Sequence, residues 1–316
     1  MITPQNASES QRDFVCDFIG SVKERMNSYP AMLYLSASLN VPTSIMAVVC
    51  NSLVLASIWR TPSLHAPSYL IRFNLAITDL AVGLFVQPLY ISQRWLNLLD
   101  RPREFCVVAL AMLVVSVMFA GVSFLTITAI CVERYLVLYL HLAYQSVVTN
   151  KRTIFAMAGL WITGSLYVGF LALNNILLFK VVGCVIITIC LVLNTVSYVK
   201  IYKVVRHHQN QISEANRAFA PNSSTVDMRS YRRSVYATFR TYIIFILFVL
   251  PFLLSLIALA ENSKSRVSRA CFHIASTIYF SNSAFNPFIY CWKEPQIKQA
   301  IKATLVSIKH TVMPER

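Results

Sequence analysis

From Tyr34 onward the chain consists of long apolar runs separated by short polar breaks. The runs cover Tyr34–Trp59, Tyr69–Gln93, Phe105–Leu138, Thr153–Leu173, Ile176–Val205, Ser234–Ala260 and Ser268–Trp292. Each reaches the roughly 20 residues that a helix needs to cross a bilayer core. No charged residue interrupts the third run between Phe105 and Val132, and only Asn174, Asn175 and Lys180 mark the break between the fourth and fifth. Seven such runs predict an all-α membrane protein, a seven-transmembrane helix bundle whose backbone groups are satisfied within each helix. A polar tail, 1–33, precedes the bundle of 34–292. In the remaining 293–316, Ile297, Ile301, Leu305 and Ile308 recur about every four residues, while Lys298, Lys302 and Lys309 take other positions. That is the pattern of a short amphipathic helix lying on a membrane surface. One loop is long: His207 to Arg233 mixes Asn, Gln, Ser and basic residues and predicts a mobile connection.

Composition agrees with the pattern. The chain is 56% hydrophobic and 13% charged, which argues against a soluble domain. An odd number of spans puts the two ends on opposite sides. The loops carrying Arg60, Lys151, Arg152, Lys200, Lys203, Arg206, Arg217, Arg229, Arg232 and Arg233 lie on one side with the tail lysines, so that side is read as cytoplasmic and the N-terminus as extracellular. The net charge of +15 is then topology and contact with anionic membrane lipids; a nucleic-acid partner is not expected. Residues 1–30 carry Glu9, Asp13, Asp17 and Glu24 and no signal-peptide pattern, so the first span is expected to act as its own insertion signal. Asn6-Ala7-Ser8 is a glycosylation sequon on the outer side, whereas Asn222-Ser223-Ser224 would face inward and stay unmodified. Cys50, Cys131, Cys190 and Cys291 fall within or below the membrane as small packing residues. Cys16, Cys106, Cys184 and Cys271 lie near the oxidising side, and three pairings of them are open.

A few polar groups sit where lipid would penalise them. Arg134, in Glu133-Arg134-Tyr135, closes the third run, and Asn286-Pro287-Phe288-Ile289-Tyr290 closes the seventh. An ionisable residue at such depth needs a partner or a task. Asp79 lies near the middle of the second run, with Ser123 in the third, Asn282, Ser283 and Asn286 in the seventh and Asn51 in the first. Pro88, Pro251 and Pro287 stand inside the second, sixth and seventh runs, where they kink helices that neighbours must repair. Over nearly the whole chain these motifs and their spacing resemble the rhodopsin-like, or class A, G-protein-coupled receptors. The missing proline of the fifth span, where Cys190 stands, and the near-absent second outer loop further resemble the melanocortin, lysolipid, cannabinoid and adenosine receptor branch.

The resemblance implies a plasma-membrane receptor, multi-pass, with a heterotrimeric G protein as its inner partner. Its switch residues would be Glu133, Arg134, Tyr135, Tyr198, Asn286, Pro287 and Tyr290. Helix six would swing out, freeing Arg134 for the G protein while Tyr198 and Tyr290 turn inward. Asp79, Ser123, Asn282, Ser283 and Asn286 match the family's allosteric sodium pocket; a hydrogen-bonded cluster without an ion is the alternative, and no other cofactor is implied. Where family receptors often place an acid low on helix six, this chain has Tyr231, which implies a weakly latched resting state and appreciable basal activity. Val249 replaces the tryptophan two residues before Pro251, while Phe245 remains near Phe124 of the third span. Of the disulfide candidates, Cys106 sits three residues farther from Arg134 than the family's spacing, and Cys184 falls inside the fifth helix. Cys16–Cys271 is the pairing favoured here.

By the same resemblance the ligand pocket would be lined by Ser116, Val117, Ala120, Ile186, Phe252, Leu253, Leu256, Ser276 and Phe280. None is charged, which suits an apolar or weakly polar small molecule or a lipid-like one. Ser116 stands where amine receptors carry an aspartate, Phe280 where opsins carry the retinal lysine, and Leu256 where adenosine receptors carry an asparagine. Arg94, Lys264, Arg266, Arg269 and His273 ring the mouth, either to receive an anionic head group or as solvated surface charge. A seven-helix ion-coupled transporter or channel using Asp79 and Arg134 is the alternative class, though the chain has no internal repeat and only 7 glycines. No paired acids, zinc motif or nucleophile–base set points to an enzyme.

Overall fold

The computed structural model describes residues 15–16, 20–21, 26, 28–140, 143–172, 176–218, 243, 246–262 and 265–312, with the side chains of most of them. A small antiparallel hairpin, β1 (Val15–Cys16) with β2 (Gly20–Ser21), pairs Val15 with Ser21 and Cys16 with Gly20. The helices that follow are α1 (Pro30–Arg60), α2 (Pro67–Leu98), α3 (Pro102–Leu140), α4 (Asn150–Ala172), α5 (Ile176–Ala218), α6 (Ile246–Glu261), α7 (Arg266–Lys293) and α8 (Pro295–Val312). Helices α1 to α5 are each long and apolar enough to cross a membrane, and the described part of α6 is apolar as well. Residues 234–242 of the predicted sixth run lie outside the described residues, as do Asn6, Tyr231 and the side chains of Cys16 and Tyr290.

Local chemistry sets the ends. Pro30, Pro67 and Pro295 open their helices at positions where a missing N–H costs nothing. Ser265 caps α7 by accepting from the Ser268 N–H at 3.3 Å. Helix α5 departs from expectation: it continues through Ala218, well beyond the predicted Val205. Residues 206–218 contain no Gly or Pro and several good helix formers, and Pro221 follows soon after the end. The first part of the expected mobile loop is therefore helix.

Leu35, Ile45, Ile154, Phe155, Leu166, Val185 and Ile189 are exposed, as a bundle solvated by lipid requires. Inside, small polar pairs tie the helices together. Asn74 donates to Thr126 Oγ1 at 2.8 Å and accepts from the Trp161 indole at 2.8 Å, joining α2, α3 and α4. Helix α8 docks on the bundle: Ile297 and Ala300 pack with Val54, Ile58 and Leu75, and Ser57 meets Thr304 at 3.1 Å. Leu305 and Val306 stay exposed. Part of the predicted apolar stripe thus faces α1 and α2, leaving the remainder for the membrane surface.

Helix α2 widens into a π turn over Val82–Val86, just before Pro88. Proline withholds the N–H that would bond the Leu84 carbonyl, and a wider turn absorbs the mismatch. Gly83 lies within it, and Ser44 donates to its carbonyl at 2.8 Å. A Cβ there would sit 3.0 Å from the Ala47 Cβ and 3.1 Å from the Ser44 carbonyl oxygen.

The expected Cys16–Cys271 disulfide is not formed. Cys271 and Cys184 are exposed free thiols, and among the described side chains it is Cys106 that is disulfide-bonded. Cys271 lies on the outward face of α7. Cys106 instead lies beside the incoming tail, where Met26 packs against Phe105, Ala109 and Leu96. Gly83→Val is expected to lower stability by roughly 1–3 kcal/mol through overpacking, read as a drop in the thermal unfolding midpoint of the purified protein.

Candidate functional site

Three polar clusters lie along the bundle axis. At the Arg134 end, the Arg134 Nη2 donates to Glu294 Oε1 at 2.9 Å, and its Nε lies 3.6 Å from Glu133 Oε2. The same Glu294 oxygen takes Arg72 Nη2 at 2.5 Å, while Arg72 Nη1 donates to the Ser68 carbonyl. Glu133 Oε1 accepts from the hydroxyls of Ser68 and Tyr144, the latter at 2.8 Å. Tyr144 belongs to the single helical turn Tyr144–Val147 between α3 and α4. Burial and the Glu133 carboxylate, opposed by the Ser68 hydrogen bond, push its phenol up to about 12, so it keeps its proton and donates.

Glu294 is the residue that sequence reasoning missed. It occupies the joint between α7 and α8, where its carbonyl accepts the Lys298 N–H at 3.1 Å. A carboxylate is favoured at a helix N-terminus, and the following Pro295 starts the helix. The weak latch was expected from Tyr231, which lies outside the described residues; a second acid meets Arg134 from this joint instead. Tyr135 stacks on Tyr139 and carries Lys200 over its ring at 5.0 Å. Tyr198 is buried, with its hydroxyl 3.1 Å from the Cys131 Sγ.

In mid-bundle, Asp79 is completely buried. Ser123 donates to its Oδ1 at 3.1 Å, Asn286 to its Oδ2 at 2.7 Å, and Ser283 is a further hydrogen-bond partner. All these donors are neutral. A cavity of about 10 Å³, roughly the least that holds one water molecule, lies beside them, lined by Ser123, Asn282, Ser283, Tyr279 and Phe280 among others. Asn51 donates to the Ser283 carbonyl at 3.0 Å. Pro287 lacks the N–H that would otherwise take that carbonyl, so Asn51 repairs the proline break. The Asn51 Oδ1 remains buried without a partner. A buried carboxylate among hydroxyl and amide oxygens, beside a small polar cavity, suits a hard monovalent cation such as sodium.

Toward the Cys106 end the predicted pocket residues divide into two groups. Ala120 and Phe280 pack with Val82, Val86 and Tyr90. Ile186 and Leu253 pack with Phe124, Cys190 and Val249. Tyr279 joins the groups: it stacks on Phe252 at 4.7 Å and donates to the Ala120 carbonyl at 3.2 Å. Ser276 is buried, its hydroxyl spent on the Phe272 carbonyl at 2.6 Å, and Ser116 likewise donates to the Leu113 carbonyl at 3.1 Å. Val117 is partly buried in α3, and Leu256 is 37% exposed, at the edge. Arg94, Arg269 and His273 are buried, so the reading of a solvated ring does not hold for them. Lys264 lies outside the described residues.

The family described as "7 transmembrane receptor (rhodopsin family)" matches residues 50–178 and 170–290. The chain belongs to the rhodopsin family of seven-transmembrane receptors. A stretch of 130 residues, 40% of this receptor, is 25% identical to olfactory receptor 4K17 of Homo sapiens. That stretch spans 39% of the relative's length. The receptor is accordingly a multi-pass membrane protein. Glu294→Gln would leave Arg72 and Arg134 sharing only a neutral amide. A hydrogen bond to a charged group contributes about 1.5–3 kcal/mol, so the variant is expected to lose stability of that order in thermal unfolding.

Proposed function

We propose that this receptor lies in the plasma membrane with its N-terminus outside and converts binding of an extracellular small ligand into activation of a heterotrimeric G protein. The ligand site is the predominantly apolar wall of Ala120, Ile186, Phe252, Leu253 and Phe280 near the Cys106 end, and the G protein docks at the Arg134 end. The observation carrying this reading is the closed arrangement of Arg134, held between Glu133 and Glu294. A guanidinium held by two acids is one state of a switch. Outward movement of helix six, with loss of the Glu294 contact, is the other. Tyr279 links the pocket wall to the cavity beside Asp79, giving ligand contacts a packed route toward the switch.

Such a switch has a defined response. Arg134→Ala should abolish G-protein activation at equal surface expression. Glu294→Gln should raise ligand-free activation by roughly fivefold or more, the lower range of allosteric coupling. Both are read by nucleotide exchange on a panel of G proteins. Unchanged signalling in Arg134→Ala would sink the mechanism.

The same reading assigns Asp79, Ser123, Asn282, Ser283 and Asn286 to a sodium ion that holds the resting state. Replacing sodium with N-methylglucamine should raise basal exchange in the wild type and have no effect in Asp79→Asn. Equal responses in both proteins would leave the cluster a hydrogen-bonded hub without an ion.

A further inference from the structure

Near the Cys106 end of the bundle Arg94 is buried, and no acid among the described residues pairs with it. Arg94 is 3% exposed. One guanidinium nitrogen, Nη1, contacts the His273 ring at 2.8 and 3.1 Å, and Nη2 donates to the Gln93 side-chain oxygen at 2.7 Å. Its carbon lies 4.2 Å from the Tyr90 ring centroid. Each of these partners is formally neutral, and the Arg94 Nε is buried with no hydrogen-bond partner. Asn97, three residues on along the same helix, also buries an amide nitrogen that bonds nothing. Neutral acceptors compensate only partly for the water such a cation has lost, and an oxyanion paired with its fork would do far better.

What lies beneath the cluster fixes the rest of the ligand. Tyr90, whose face carries Arg94, meets Phe280 edge-on at 5.5 Å. The two share one apolar group with Val86, Ala120 and the flanking Met112 and Phe119. The Tyr90 hydroxyl bonds the His273 carbonyl at 2.9 Å, locking α2 to α7 beside the cation. A charged cluster therefore tops a closely packed apolar layer.

We infer that Arg94, with His273 and Asn97, seats the oxyanion of an anionic amphiphile whose apolar tail lies along Tyr90 and Phe280. This deepens the proposed ligand site and rests on that reading for its signalling role, but not for binding itself. Free fatty carboxylates and anionic membrane lipids share the required chemistry.

The test uses the full chain in phosphatidylcholine nanodiscs, with decanoate, decanol and decylamine as probes and the thermal midpoint as readout. No G protein is present, so a receptor that binds but fails to signal is recognised separately. Decanoate should raise the wild-type midpoint saturably, with decanol and decylamine far weaker. In Arg94→Gln the half-saturating concentration should rise by about tenfold or more, as loss of a charge-assisted hydrogen bond implies. Nanodiscs containing phosphatidylserine separate the sources: a raised midpoint that decanoate cannot increase further identifies the lipid head group as occupant. Equal shifts from decanol and decanoate would overturn the inference. So would undiminished decanoate affinity in Arg94→Gln, or a wild-type midpoint indifferent to both decanoate and phosphatidylserine. The wild-type comparison does not depend on the variant folding.

Discussion

One carboxylate oxygen of Glu294 is shared by the guanidinium groups of Arg72 and Arg134, and much of the Arg134 end is arranged around that sharing. In lipid, apolar surface offers little drive for helices to associate, so polar contacts and close packing select the arrangement. Here a single acid, placed where α7 turns into α8, joins that turn to α2 and α3. Glu133 completes the set by taking the other side of Arg134 and the hydroxyls of Ser68 and Tyr144. Remove the shared acid and two like charges are left facing each other in a half-buried site.

The middle of the bundle follows the same logic with neutral groups. Pro287 breaks the hydrogen-bond ladder of α7, and Asn51 reaches across from α1 to the carbonyl so released. Pro88 is absorbed instead by the π turn of α2, where Gly83 lets α1 approach closely. Each repair binds one helix to another, so the prolines that weaken single helices strengthen the contacts between them. Asp79 sits between these repairs with hydroxyl and amide donors around it.

The fold was legible because its causes are local. Runs of apolar residues, proline positions and the Asp79, Asn286 and Arg134 motifs are periodic or short-range features. Asp79, Ser123, Ser283 and Asn286, grouped by the family resemblance, do meet in mid-bundle. Glu294 was not legible in that way: it looks like a helix-opening acid, and its contact with Arg134 spans 160 positions of sequence. The burial of Arg94 and His273 was equally hidden, since loop-proximal cations normally read as solvated, and here the tail residue Ser28 closes over His273. The disulfide misreading has the same origin. Cysteine pairing depends on where the tail crosses the bundle, and Met26 takes it past α3. The extension of α5 was readable from its helix-forming composition, but polarity made those residues look like a loop.

Glu294 and Arg134 act on each other directly. A double-mutant cycle in thermal stability, with Glu294→Gln, Arg134→Gln and the pair, measures this most directly. Coupled residues in one ionic network show interaction energies of about 0.5–3 kcal/mol. A value in that range is expected, with the second substitution costing much less once the first is present. Simple additivity of the two effects would contradict it.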